Sequence, residues 1–412
     1  MMSQALTYAL TRNRLLPIVA AALVVAVAAA PAAQARSTPE IGVRPGQETQ
    51  IHAEAAADAG GEVHMGLSWR KVQFVEGSPP DFSDVKAKFE TFLVENGGPG
   101  IASVRVIDAP EWAAGGCEYT ANVTSCPPTS DFYPEFREFV TQAVTELGPG
   151  TDFNIDRFIL WNEPSLDKKW GGEDVDDRSF VDYSNLLNQF RPAVTAATNS
   201  AGVSVEAGEV AAGGSKPVTW ARKFTQYNSD RGRNDNYDVL TIHAYAETAS
   251  GVVGKINQHA GLRGVEEVAV SEFGWAVGRP NPNSPGEGDY KCTSLSGQNQ
   301  KFRDTVTLVK RNTTDVTALV WLNVIDENKG KTKCIDNTGY YAKSKRDGIS
   351  PYGLFKRAPR GGLGTISERP IVNSFRKAAA EEPLRRANKM VSYEGNSPVL
   401  APLSALPLSG LL

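Results

Sequence analysis

The 412-residue chain is predicted to fold as an α/β protein built on a single (β/α)8 TIM barrel. Three observations predict it. Eight short apolar runs alternate with amphipathic segments, which is the layout of a closed parallel barrel. The connections after several of these runs are long and rich in Gly, Pro, Ser and Asn, whereas most returning loops are short. Two glutamates, Glu163 and Glu272, stand just past apolar runs, where barrel strand ends present side chains at the mouth.

The predicted strands are Glu40–Arg44, Val63–Trp69, Ile101–Asp108, Arg157–Trp161, Val203–Ala207, Val239–His243, Glu267–Val270 and Ala318–Leu322. Asp81–Glu95 places Phe82, Val85, Phe89, Phe92 and Leu93 at three- and four-residue spacing, which predicts a helix. The same spacing recurs over Asp177–Asn199, with Phe180, Tyr183, Leu187, Phe190 and Val194, and over Ser296–Arg311, with Phe302, Val306 and Val309. Thr49–Ala59 and Pro370–Glu382 are the expected first and last helices. No repeat of fixed period is visible. The long loops Ala109–Thr129, Ala276–Leu295 and Asn323–Ile349 follow the third, seventh and eighth strands and are expected to build a cleft.

The N-terminus has Arg12 and Arg14, then apolar Leu15–Ala30, then Ala33-Gln34-Ala35. That order predicts a signal peptide, residues 1–35, cleaved after Ala35, and hence a secreted protein with its barrel at 36–384 and a mobile tail at 385–412. Removing two arginines moves the formal charge from −4 to −6, which gives no electrostatic reason to bind nucleic acid or a membrane surface. Cys117, Cys126, Cys292 and Cys334 all lie in the exported part and read as two disulfides. Three connectivities are open. Pairing Cys117 with Cys126 would staple one loop, and Cys292 with Cys334 would tie the loops after two neighbouring strands. No Cys-x-x-Cys or His-x-x-x-His spacing points to a metal, and no organic cofactor is expected.

The chemistry sits in Trp161-Asn162-Glu163-Pro164 and Ser271-Glu272-Phe273-Gly274-Trp275. Two facing carboxylates are the minimum equipment for breaking an acetal: one protonates the departing oxygen and one meets the positive charge at the anomeric carbon. With these motifs in this order the chain resembles a clan A glycoside hydrolase, closest to the family 39 and family 5-like β-xylosidase and mannanase branch, from about Trp69 to Phe355. The resemblance implies that Glu163 is the acid/base and Glu272 the nucleophile of a retaining enzyme acting on a carbohydrate. It also implies that Asn162 bonds the sugar 2-hydroxyl, that His243 and Tyr245 line the site, and that Trp321 forms the floor under the sugar. Trp69 and Trp112 resemble elements at the second and third strand ends.

One departure stands out. Relatives often carry a second-strand arginine that holds the nucleophile ionised, and here the candidate position is His64; Arg105 on the third strand is either its substitute or a barrel-interior arginine satisfied by buried acids. Trp161 is expected in the core, Trp112, Trp170 and Trp275 are candidate sugar platforms, and Asp108, Glu111, Glu209 and Asp326 are spare acids for hydroxyls or loops. The acid/base is expected to have a raised pKa. A barrel that binds glycans without turnover, and a transglycosylase, are the alternatives.

Overall fold

The computed structural model describes residues 39–45, 49–120, 122–172, 179–198, 202–280, 292–312, 314–322, 327–328, 334–335, 349–350, 354–357 and 366–381. The predicted signal peptide and tail lie outside these residues.

Eight strands close into a parallel barrel, and each is followed in sequence by a helix. They are β1 (Glu40–Val43), α1 (Gln50–Ala59), β2 (Glu62–Ser68), α2 (Ser83–Glu90), β3 (Ile101–Ile107), α3 (Tyr133–Leu147), β4 (Arg157–Leu160) and α4 (Ser179–Thr198). The second half is β5 (Ser204–Ala211), α5 (Ser215–Asp230), β6 (Val239–His243), α6 (Ala249–Ala260), β7 (Glu267–Phe273), α7 (Leu295–Arg311), β8 (Asp315–Trp321) and α8 (Ile371–Ala380). The barrel closes where β8 pairs with β1, Trp321 opposite Val43.

Helix formation follows the apolar spacing. In α3, Phe136, Phe139, Val140, Ala143, Val144 and Leu147 recur every three or four residues and are buried, with Phe136 and Phe139 against Trp69 and Phe136 against Phe190 of α4; Pro134 starts the helix where no backbone donor is needed. Each fully buried phenylalanine contributes about 1.5–3 kcal/mol. α2 is shorter than the predicted Asp81–Glu95 because Asp81 turns back to accept from the Ser83 amide at 2.9 Å, and because a separate short turn, Val94–Asn96, leads into Gly97. Trp69, predicted as a strand end, opens a one-turn helix to Val72.

Inside the barrel, the end away from the mouth is ionic. Arg157 bonds Glu40 at 2.6 Å and Glu206 at 2.6 Å, and Thr241 donates to Glu206 at 2.8 Å. His64 belongs to this layer, between Ser103 at 2.7 Å and Glu40 at 3.1 Å. It therefore stands far from the role a second-strand arginine would play. Gly42 makes room for it: a Cβ there would lie 2.5 Å from His64 Nε2.

The strands depart from regular pairing near the mouth. In β5 the partners of Gly208 and Val210 are consecutive residues of β6, so Glu209 is an extra, bulged residue with φ 52°. In β7 Ser271 is skipped likewise between the partners of Ile242 and His243. Bulges re-aim side chains. Asp108, Trp161 and Glu163 also have positive φ, at 59°, 71° and 51°. Each costs an L-residue about 1–2 kcal/mol, and such strain gathers where a side chain must be aimed.

Candidate active site

Glu163, just beyond β4, and Glu272, in β7, meet over His243, the last residue of β6. His243 Nδ1 lies 3.1 Å from Glu163 Oε1 and 3.4 Å from Glu272 Oε2, so those oxygens cannot be further apart than the two distances combined, 6.5 Å. Both carboxyls reach solvent, with side-chain exposures of 20% and 16%. The two are distant in sequence and adjacent in space because their strand ends share the barrel mouth.

Glu272 is gripped from two sides. Tyr245 donates its hydroxyl to Oε2 at 2.9 Å, and Arg44 donates Nη1 to Oε1. Arg44 also reaches the Ser271 carbonyl at 3.1 Å and the carboxylate of Glu209. The cation beside the nucleophile candidate is therefore Arg44, immediately after β1. Arg105 does not fill that place: it donates to Asn162 Oδ1 at 3.0 Å and to Glu209 at 2.5 Å. This fixes the Asn162 amide by its oxygen, which leaves its nitrogen as the donor toward the cleft.

Glu209 is fully buried and is the hub that sequence reading left among the spare acids. It accepts from Arg44 and Arg105, with His243 Nε2 at 3.6 Å. Burial alone would raise its pKa, but Arg105, then Arg44 and His243, hold it far below the ordinary carboxylate range.

Burial would likewise lower the pKa of His243, yet the charge of Glu272 and the bonds to Glu163 and Glu209 push it up to about 9. Glu163 departs from expectation. Burial would raise its pKa, but the His243 bond and charge, followed by Lys169 and Lys168, bring it below the usual value. The expected elevated acid/base is thus absent without substrate. His243 and Glu163 instead share one proton, held until pH rises through about 9. The groups facing this pair are Glu272 and Tyr245, Glu209, Arg44 and Arg105, and Lys169.

The sign for stability follows from the same shift. A histidine whose folded pKa is raised from 6.5 contributes stability fully below that value, and the contribution is lost as pH climbs through about 9. For activity, the alkaline limb of kcat/KM is expected near pH 9 and should move down by at least about one unit in His243→Gln, where Glu163 alone must hold the proton. A limb that stays in place would show that the pair does not share it.

Several aromatic expectations are corrected. Trp321 is 0% exposed, edge-on to Phe273 at 5.3 Å and Phe302 at 5.6 Å, so it presents no face as a sugar floor. Trp275 is buried, donating to the Ala246 carbonyl at 2.7 Å and packing on Trp321. Trp69 is buried too, stacked on Phe139 at 5.4 Å with its Nε1 bonded to Gln73 at 2.7 Å. These three are core residues. Trp112 and Trp170 are half-buried and keep free surface. Trp161 packs in the core as expected, donating to the Lys169 carbonyl at 2.8 Å.

Cys117 and Cys126 form a disulfide. Cys292 is also disulfide-bonded, and the side chain of Cys334 lies outside the described residues. Inside the stapled loop, Ser125 donates to Asp108 at 2.6 Å, so that acid holds a loop. Among the described residues, no group of three or more His, Cys, Asp or Glu is placed to hold a metal ion, and no helix is long and apolar enough to cross a membrane.

The family model described as the glycosyl hydrolase catalytic core matches residues 136–347, a stretch that carries Glu163, His243 and Glu272. The chain belongs to this family. It is a glycosidase, and its barrel matches those of clan A enzymes. An endo-β1,6-glucanase superposes with a TM-score of 0.54 at 12% identity, over 85% of this chain and 77% of that one. A family 10 xylanase from Bispora sp. MEY-1, solved with xylobiose, gives 0.52 at 11% identity over 82% and 95%. A family 5 enzyme from Bifidobacterium longum, in complex with Manβ1-4GlcNAc, gives 0.51 at 12% identity over 83% and 78%. At these identities the likeness concerns the fold of the glycosidase alone. No curated protein matches the chain.

Proposed function

We propose that this glycosidase is an exported retaining β-glycosidase in which Glu163 is the acid/base and Glu272 the nucleophile. The observation that carries the reading is the pair of carboxyl oxygens no more than 6.5 Å apart across His243, summed from its 3.1 and 3.4 Å contacts. A retaining pair needs about 5–5.5 Å, whereas an inverting pair needs roughly 6.5–9.5 Å to admit a water between acid and base.

In the first step Glu163 donates a proton to the glycosidic oxygen while Glu272 attacks the anomeric carbon; the C–O bond breaks, the aglycone leaves as an alcohol, and a glycosyl-enzyme ester forms. In the second, Glu163 takes a proton from water, which attacks the same carbon and releases Glu272. Arg44 and Tyr245 hold the attacking carboxylate in a fixed orientation. Asn162, pinned by Arg105, offers its amide N–H to the 2-hydroxyl. Trp112 and Trp170 are the platform candidates left with free surface, and export rests on the leader-like N-terminus and the disulfide chemistry. The alternative of a barrel that binds without turnover rests on a missing cation at the nucleophile, and Arg44 supplies one.

Glu163→Ala tests the acid role. With a poor leaving group kcat/KM should fall about 10²–10⁴-fold, and with a dinitrophenyl leaving group, which departs unprotonated, the first step should be nearly unaffected. Equal losses on both substrates would remove Glu163 from the role.

A further inference from the structure

We propose that Lys169 forms a subsite for an anionic group on the glycan, so that the substrates of this enzyme are acidic rather than neutral chains. The inference rests on the two-glutamate reading above and names the substrate class of that same site.

Lys169 is positioned from the catalytic glutamate itself. Leu166 N donates to the Glu163 carbonyl at 2.9 Å, Lys169 N donates to the Leu166 carbonyl at 2.8 Å, and Trp161 Nε1 donates to the Lys169 carbonyl at 2.8 Å. The turn is also clamped from the neighbouring loop. Thr124 donates its backbone and hydroxyl to the Lys168 carbonyl at 2.8 and 3.1 Å, and Gly171 N donates to the Ser125 carbonyl at 3.1 Å. That loop is closed by Cys117–Cys126 and tied to Asp108 through Ser125. The backbone that carries this long side chain is therefore fixed.

Its ammonium group is half-buried and, among the described residues, makes no hydrogen bond or ion pair with a side chain. The arginines around the cleft differ in this respect. Arg44 and Arg105 each have a carboxylate in contact, and Arg70 pairs with Glu111 at 2.7 Å. Burial lowers the pKa of Lys169; the opposing attractions come from Glu163 and Glu272, and Lys168 and Arg105 repel it. The charges it feels are therefore those of the cleft. A half-buried cation without a side-chain partner is available to an anionic group entering the cleft.

The charge of Lys169 also acts on Glu163. Lys169 and Lys168 both lower the proton affinity of Glu163, the wrong direction for a group that must deliver a proton. An anion docked against Lys169 offsets that lysine's share of the lowering, which is smaller than the share of His243. A uronic acid carboxylate and a sulfate ester share the required chemistry.

The test compares wild type, Lys169→Met and Lys169→Arg on three oligosaccharides of one linkage: a uronic acid-bearing chain, its carboxyl-reduced counterpart, and the reduced chain carrying sulfate. Wild type should favour an anionic chain over the neutral one by about 10- to 100-fold in kcat/KM, as a charge-assisted bond implies. Lys169→Met should bring that ratio close to one and Lys169→Arg should retain most of it; whichever anionic arm is preferred identifies the group. A wild-type ratio at or below one, or a ratio unchanged in Lys169→Met, overturns the subsite. Calorimetric binding of the same chains to Glu163→Ala reads the anion preference without turnover. A wild type that binds the anionic chain preferentially but cleaves none of the chains would count against the two-glutamate chemistry alone, and cleavage by wild type with no preference in rate or binding would count against Lys169 alone.

Discussion

Replacing Glu272 with alanine is expected to lower kcat by at least about 10⁴-fold on every substrate, including one with an excellent leaving group. The breadth of the loss distinguishes this variant from Glu163→Ala, because no leaving group can substitute for the bond that the nucleophile forms. The arrangement around Glu272 makes the effect specific. Its two oxygens are taken by Tyr245 and Arg44, so the carboxylate is aimed before substrate arrives, and a water entering the vacated space would be oriented by the same donors. A small nucleophilic anion such as azide should recover part of the rate with an activated glycoside and give a product of inverted configuration. Wild-type rates in Glu272→Ala would remove this residue from the chemistry.

Glu209→Ala is expected to have the largest effect on stability, about 3–5 kcal/mol. The carboxylate is fully buried and answers two arginines and a histidine, and removing it takes the carboxylate from Arg105 and leaves Arg44 and the raised His243 to share Glu272 and Glu163. Equilibrium unfolding in urea near neutral pH measures the loss. Because Glu209 has a pKa far below the ordinary range, its contribution is present above about pH 4 and should fade only in strong acid. A cost under about 1 kcal/mol would mean that the cluster is not an electrostatic unit. Glu209 does not contact the reacting atoms in this account; it positions Arg44 and His243, so Glu209→Gln should disturb the pH profile of kcat/KM as well as stability.

Much of the architecture was legible because a barrel writes itself in two periods. Buried parallel strands give short apolar runs such as Val239–His243, and surface helices such as α4 and α7 repeat every three or four residues. Strand-end glutamates flanked by Asn162 and Trp275 then pointed to the mouth. The supporting charges were hidden for a physical reason: they depend on irregularity. Glu209 lies beyond the predicted end of the fifth strand because a bulge at Gly208 and Glu209 carries that strand on to Ala211, and an isolated glycine in a strand was the available signal. Arg44 reads as the last residue of the first strand, and nothing in its local sequence says that its side chain reaches Glu272 in β7. Lys169 required knowledge of which turns hang from Glu163.

The tryptophans show the opposite failure. Trp69, Trp275 and Trp321 stand at strand ends, where a sugar platform is expected, yet each is enclosed by other rings, and the apolar packing of a large ring outweighed the positional argument. Half-buried Trp112 and Trp170 could be separated from them only by the course of the loops.

The central claim is that Glu272 forms a covalent bond to the sugar. It is tested most directly by incubating the enzyme with activated 2-deoxy-2-fluoro glycosides of the sugar it turns over, then mapping the label by peptide mass spectrometry. The account predicts one glycosyl unit per chain, attached to Glu272 and lost on reactivation with an acceptor. A label on another residue, or a substrate hydrolysed with inversion of configuration, would contradict it.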